Sequence, residues 1–289
     1  MGEPKYTLDH NDSIKIDDHI LYRLVAVRDF DDILCDDRGG YIEFEYNLSH
    51  DGNCWVYDNA KVYGHAKVYD DAKISGNSKV HCECDIREEE DNITYDLQVY
   101  GSAKVSGNAE VYEHVRIYDN AEVSDNAQVY GHALIYNTAK VSGNAQVYGH
   151  TRIFYNASVS GNAQVFDDTM VWDNAKIYGS AIIQDEANIY GDAHVYGSVQ
   201  VANEAKIYGC ARVYDNAKIY IEGRVYGDAL VYGDAKVYSK ARVYEHARIY
   251  DNGQVSGTAR VFGNTKICND TMVSGHVKIS SNDQIGKDY

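Results

Sequence analysis

Ala127-Gln128-Val129-Tyr130-Gly131-His132 returns eighteen residues later as Ala145-Gln146-Val147-Tyr148-Gly149-His150, and the reading of this six-residue unit decides the fold. A small residue, a polar residue, an aliphatic and an aromatic make a four-residue strand, and the last two residues are turn formers. Side chains alternate faces along a strand, so Ala and Val point to one side while Gln and Tyr point to the other. Ala and Val therefore face inward, and Lys, Gln and Tyr face out.

The frame runs far in both directions. From Val99 to Ile285 every sixth residue is Val or Ile, thirty-one consecutive steps without an exception. Neither a helix of 3.6 residues per turn nor a period-two hairpin sheet keeps such a frame, which marks stacked repeats. A shorter block, Val56, Val62, Val68, Ile74, Val80 and Ile86, precedes it. Between Ile86 and Ile93 the step is seven, so the acidic stretch Arg87-Glu88-Glu89-Glu90-Asp91-Asn92 is expected to form a bulged corner.

Three strands should close one coil of eighteen residues, because residue type holds at that spacing. Every eighteenth residue reads Tyr100, Tyr118, Tyr136, Phe154, Trp172, Tyr190, Tyr208, Tyr226, Tyr244 and Phe262. A second column begins Ser106, Ser124, Ser142 and Ser160, then switches to Tyr178, Tyr196, Tyr214, Tyr232 and Tyr250. The corners agree: 17 of the 24 Gly sit at the first corner position, where positive φ is needed, and the single proline, Pro4, lies outside the frame.

An aliphatic residue with a small residue two places before it resembles the hexapeptide repeat of left-handed parallel β-helix proteins, over about four fifths of the chain. Left-handedness is implied by that resemblance; the general preference for right-handed crossovers points the other way. Near the start, Leu24-Val25-Ala26-Val27-Arg28-Asp29-Phe30, Gly39-Gly40-Tyr41-Ile42-Glu43, Asn47-Leu48-Ser49 and Gly52-Asn53-Cys54-Trp55 resemble the YdcK-like bacterial hexapeptide proteins, a family classed as transferases on fold similarity. The expected architecture is all-β: a three-sided, single-stranded left-handed parallel β-helix over residues 54–289, with a small β cap over residues 1–53. Alternating segments such as Ser13-Ile14-Lys15-Ile16 supply the cap. At the other end Asp283 takes an inward small-residue position, which blunts the last coil or serves end-to-end association.

Composition bounds the function. No apolar run reaches membrane-spanning length and no signal-type apolar segment follows Met1, so a soluble cytoplasmic protein is expected. The six cysteines, Cys35, Cys54, Cys82, Cys84, Cys210 and Cys268, show no disulfide framework, as in a reducing compartment. His81-Cys82-Glu83-Cys84-Asp85 contains metal-ligating types, but Cys84 falls on an inward small-residue position and a closed zinc site needs four convergent ligands; no metal is expected. A net charge of −17 disfavours non-specific nucleic-acid binding. A carboxylate-studded rod mimicking nucleic acid is a third reading, weakened by interleaved Lys and Arg.

Two columns are candidate sites. Lys206, Arg224, Arg242, Arg260 and Lys278 recur at coil spacing, with Tyr208, Tyr226, Tyr244 and Phe262 beside them. Guanidinium groups and rings so placed can stack on each other, or offer donors and flat apolar surface to an anionic polymer, a glycan, a protein or another subunit. The plainer alternative is a solvated face whose cation–π contacts stiffen the coil. His114, His132 and His150 share one corner, continued by Asp168, Glu186, Glu204 and Glu222. In the hexapeptide acyltransferases that the repeat resembles, a His deprotonates the acceptor that attacks an acyl thioester, work suited to imidazole. The same slot type holds Asn144 and Ser180, so the histidines also read as simple turn formers.

The chain lacks the long excursion after Ile93 and the C-terminal helix that such acyltransferases carry. The leading expectation is therefore a non-catalytic interaction solenoid without cofactor, presenting tyrosine-rich and basic–aromatic faces for self-association or an extended partner. An acyl-CoA-dependent acyltransferase is the alternative. A homo-oligomer is expected, a trimer by resemblance.

Overall fold

Lys104 pairs with Glu122 and Val105 with Val123, in parallel and eighteen residues apart, so each strand lies beside its equivalent one coil later. The computed structural model describes residues 3–83, 97–282 and 284–286, and among them it is all-β with one short 3-10 turn, Glu45–Asn47. The chain forms two compact units, residues 1–144 and 145–289. Each is a solenoid of hexapeptide repeats with parallel strands on three sides, as the sequence frame indicates.

The N-terminal unit opens with an antiparallel hairpin, β1 (Tyr6–Ile16) and β2 (His19–Ala26). Strand β3 (Arg38–Ile42) pairs antiparallel with β2 on one edge and parallel with Lys61–Gly64 on the other. The strand that closes the hairpin sheet is thus also the first rung of the solenoid. Leu21, Tyr41 and Tyr63 are buried together there, with Ile14 and Ile16 packed against them.

Across residues 84–96 the ladder widens. Lys67 pairs with Gln98, Lys73 with Lys104 and Lys79 with Glu110, each 31 residues apart instead of 18, thirteen more than a coil needs. The sequence frame expected one surplus residue; the pairing instead sets Val99 beside Val68 and Val111 beside Val80. Cys84, Ile86, the acidic run 87–92, Ile93 and Asp283 lie outside the described residues.

The core is a thin column in which Ala and Val or Ile alternate at zero exposure, as at Ala205, Ile207, Ala241 and Val243. Each fully buried Val or Ile contributes roughly 1.5–3 kcal/mol. Where a hydroxyl takes the small-residue slot, it donates to the carbonyl three residues back: Thr151 to Tyr148 at 2.7 Å, Thr169 to Phe166 at 2.7 Å and Thr265 to Phe262 at 2.8 Å. Burial of these groups therefore leaves no orphaned hydroxyl.

Corners need positive φ, and two solutions alternate. At Gly179 (φ +74°) an added Cβ would stand 2.7 Å from the Gly197 amide nitrogen. Elsewhere Asp or Asn adopts the same conformation, and its side chain accepts the amide of the next coil: Asp125 from Gly143 at 2.9 Å, Asp215 from Gly233 at 3.2 Å. Many corner carboxylates are thereby committed to backbone.

Candidate binding face

In the C-terminal unit the strands Lys206–Ile207, Arg224–Val225, Arg242–Val243, Arg260–Gly263 and Lys278–Ser281 pair in one parallel register. Ile207, Val225, Val243 and Val261 are fully buried, which turns the preceding Lys or Arg outward and sets a ring two residues further on. Register then does the rest: cations face cations and rings face rings at one coil's spacing.

The rings form a continuous stack. Trp172 and Tyr190 are 4.4 Å apart between centroids, Tyr190 and Tyr208 4.8 Å, Tyr208 and Tyr226 4.7 Å, Tyr226 and Tyr244 4.9 Å, and Tyr244 and Phe262 4.9 Å. Neighbouring planes deviate by 5° or less. Each ring face covers the next, so the stack turns edges and phenol hydroxyls outward. Of the two arrangements open to these rings, stacking on each other or offering flat faces outward, the parallel register uses the faces internally. Burial raises the pKa of Tyr190, Tyr208 and Tyr226 above the ordinary phenol value, against the smaller opposing pull of neighbouring arginines, so the hydroxyls stay protonated donors.

Lys206, Arg224, Arg242 and Arg260 are half-buried and Lys278 is exposed. None forms an ion pair with a carboxylate among the described residues, whereas Lys240 meets Glu222 at 3.3 Å and His246 meets Asp228 at 3.6 Å elsewhere in the unit. A second stack, Tyr178, Tyr196, Tyr214, Tyr232 and Tyr250, has spacings of 4.8–5.2 Å. Its accompanying column includes Arg212 and Arg248 but is interrupted by Leu230. Charge is also divided between the units. Residues 1–144 hold 13 Lys and Arg against 28 Asp and Glu, and residues 145–289 hold 14 against 16, giving −15 and −2.

The histidine corner is only partly assembled into a site. His114 stacks on His132 at 4.8 Å with planes 20° apart. His114 is half-buried and lines a shallow cleft of about 320 Å³ with His81, Glu83, Tyr112 and Glu113, while His132 is exposed. His150 occupies the equivalent corner slot within the C-terminal unit and is exposed. Sequence reasoning weighed His81 only among metal-ligating types and missed its place beside His114. His81 takes an outward aromatic slot, stacked at 4.6 Å on Tyr63 and 5.6 Å on Tyr112, and burial lowers its pKa. Glu113 accepts the Gly131 amide at 2.7 Å, so this carboxylate serves the corner.

A further cluster was also not legible. Lys73 bonds Asp31 at 2.8 Å and Asp32 at 2.9 Å, and the Tyr57 hydroxyl donates to Asp32 at 2.9 Å. The Lys73 ammonium, then the Tyr57 hydroxyl, hold Asp32 down to about 2, and burial pushes Tyr57 up to about 12. Asp32, Tyr57 and Lys73 border a shallow cleft of about 390 Å³ with Asp58, Ser75, Lys104 and Ser106. The loop carrying Asp31 and Asp32 lies outside the repeat, so the six-residue frame gives no signal for it.

Among the described residues no three His, Cys, Asp or Glu side chains are placed to hold a metal ion, and no helix is long and apolar enough to cross a membrane. Cys35, Cys54, Cys210 and Cys268 are free thiols, but Cys82 is disulfide-bonded.

No family model matches the chain. Over 46 residues it is 41% identical to the uncharacterized acetyltransferase YdcK of Escherichia coli (strain K12), a stretch that covers 16% of this chain and 14% of that protein. This similarity agrees with the hexapeptide-repeat reading of the fold.

Proposed function

We propose that the chain is a non-catalytic interaction solenoid whose binding surface is the face built by Lys206, Arg224, Arg242 and Arg260 with Tyr208, Tyr226 and Tyr244, and that its partner is extended and anionic. The observation that carries the reading is the row of in-register cations without carboxylate partners among the described residues, in a chain of net charge −17. Like charges placed opposite each other on neighbouring strands oppose folding; an anionic partner supplies the missing counter-charge. The stacked rings beside them hold the row rigid, which lowers the ordering cost of binding. Committed corner carboxylates make the nucleic-acid mimic a poorer reading. Titration of the full chain with linear polyanions tests the surface: binding should weaken with salt and be lost in Arg224→Gln with Arg242→Gln. Unchanged binding in that variant would sink it.

The likeness to YdcK favours a second reading, an acyl-CoA-dependent acyltransferase with His114 as the base in the cleft it shares with His81. Thermal stabilisation by coenzyme A, lost in His114→Ala, supports it; absence of stabilisation at millimolar coenzyme A removes it. Self-association, with a trimer favoured by the resemblance to hexapeptide proteins, belongs to both readings and is read directly by light scattering.

A further inference from the structure

The chemistry of the same face narrows the partner, and the following rests on the reading of that face as an anion-binding surface. Three features act together. The cations recur once per coil, at the 4.7–4.9 Å spacing that the adjacent rings report. Beside them runs an equally spaced row of phenol hydroxyls, Tyr190, Tyr208, Tyr226 and Tyr244. The ring faces are occupied by one another, so along the stack they offer no platform on which bases can stack, the means by which single-stranded nucleic acid is generally held. Neutral sugars lose the same means of attachment. A polyphosphate repeats at a shorter interval than the coil, so its oxygens do not keep step with the hydroxyl row.

We propose that the ligand is a linear acidic polysaccharide carrying one carboxylate per sugar, a polyuronate. A hexuronate unit in an extended 1,4-linked chain advances by about the rise of one coil and is turned over relative to its neighbour, so every second carboxylate reaches the row, at Arg224 and Arg260 or at Lys206, Arg242 and Lys278. The ring hydroxyls of the sugars meet the phenol row. Charge-assisted bonds from guanidinium to carboxylate supply the strong contacts, and the phenols supply the recognition that distinguishes a uronate chain from other polyanions.

The test is calorimetric titration of the full chain with size-defined oligogalacturonides, a neutral oligosaccharide of equal length, and inorganic polyphosphate. Oligogalacturonides are expected to bind, with affinity rising up to about five sugars and levelling beyond that, since five cations recur in register. The neutral oligosaccharide should not bind. Tyr226→Phe with Tyr244→Phe keeps the ring stack and removes two hydroxyls; it should weaken oligogalacturonide binding about tenfold and leave polyphosphate binding unchanged. Loss of affinity for both ligands in that variant, or for neither, overturns the proposal. Polyphosphate binding without oligogalacturonide binding overturns the uronate assignment while leaving the anion surface intact. If neither polyanion binds, both fall.

Discussion

One oxygen of Asp185 accepts two hydrogen bonds from Asn203, one coil later: the backbone amide at 2.8 Å and the side-chain amide at 2.9 Å. The same device runs along this corner. Asp167 accepts the Asp185 amide at 3.2 Å, and Asn203 accepts the Ile221 amide at 3.2 Å. Each hydrogen bond of this kind contributes about 1 kcal/mol net. Asp185→Gly keeps the left-handed corner conformation and removes the acceptor, so it should lose about 1–2 kcal/mol in urea unfolding followed by circular dichroism. Asp185→Asn retains an acceptor and should lose less. Equal losses would show that the bonds to Asn203 carry none of the stability.

The corner ladder reaches a misfit at Ile221. A β-branched residue holds φ +59° there with 43% of its surface exposed, and it has no oxygen to offer the Ser239 amide of the next coil. Left-handed backbone costs an ordinary L-residue roughly 1–2 kcal/mol, and Asn or Asp much less. Ile221→Asn should therefore raise the melting temperature, with about 1 kcal/mol gained. A lower melting temperature would mean that the Ile221 side chain makes a contact worth more than the strain.

The fold was legible because its signal is redundant: Val129 alone predicts nothing, but thirty-two aliphatic residues in one frame leave no other solution. Ile86 and Ile93 show the limit. Each keeps a six-residue step to one neighbour, yet Val80 pairs with Val111 and Val68 with Val99, 31 residues on, so aliphatic spacing alone does not give the register across this stretch. Of the binding face, the columns were legible, since register follows from an eighteen-residue period. The sequence left ring orientation open between stacking and outward faces, because it depends on side-chain torsions, and these set the faces of Tyr208 and Tyr226 against each other. The Lys73 cluster stayed hidden for another reason: Asp31 and Asp32 reach it from a loop that no period describes.

The tyrosine stack predicts a graded response. Tyr226 contacts Tyr208 and Tyr244 face to face, and an aromatic pair contributes about 0.5–1.5 kcal/mol beyond its buried area. Tyr226→Ala removes two such contacts and should cost about 1–3 kcal/mol, whereas Tyr226→Phe should stay within about 0.5 kcal/mol of the parent. If Phe is as costly as Ala, the hydroxyl rather than the stack holds the face.

The N-terminal unit should be alkali-sensitive. Burial pushes Tyr63, Tyr112 and Tyr118 up to about 12, from an ordinary value of 10.0. The unfolded chain then releases its phenol protons first. Stability is fully present below pH 10 and is lost as pH rises through about 12, because deprotonation favours the unfolded state over that window. Ultraviolet titration should show phenolate from these tyrosines appearing late and together with loss of the β signal. Phenolate forming near pH 10 with the fold intact would contradict their burial.

Arg224, Arg242 and Arg260 oppose one another across neighbouring strands without carboxylate partners among the described residues, an arrangement that weakens the coil it decorates. Like charges directly opposite on neighbouring strands are destabilising. Arg242 takes part in two such pairs. Arg242→Gln should therefore stabilise the protein at low ionic strength, and the gain should fade as salt screens the repulsion in the parent. A substitution that raises stability while removing polyanion binding is the signature of a residue kept for its partner rather than for the fold. Should Arg242→Gln instead destabilise at every salt concentration, the guanidinium is holding the coil together through its stem, and the cations lose their claim to be a binding row.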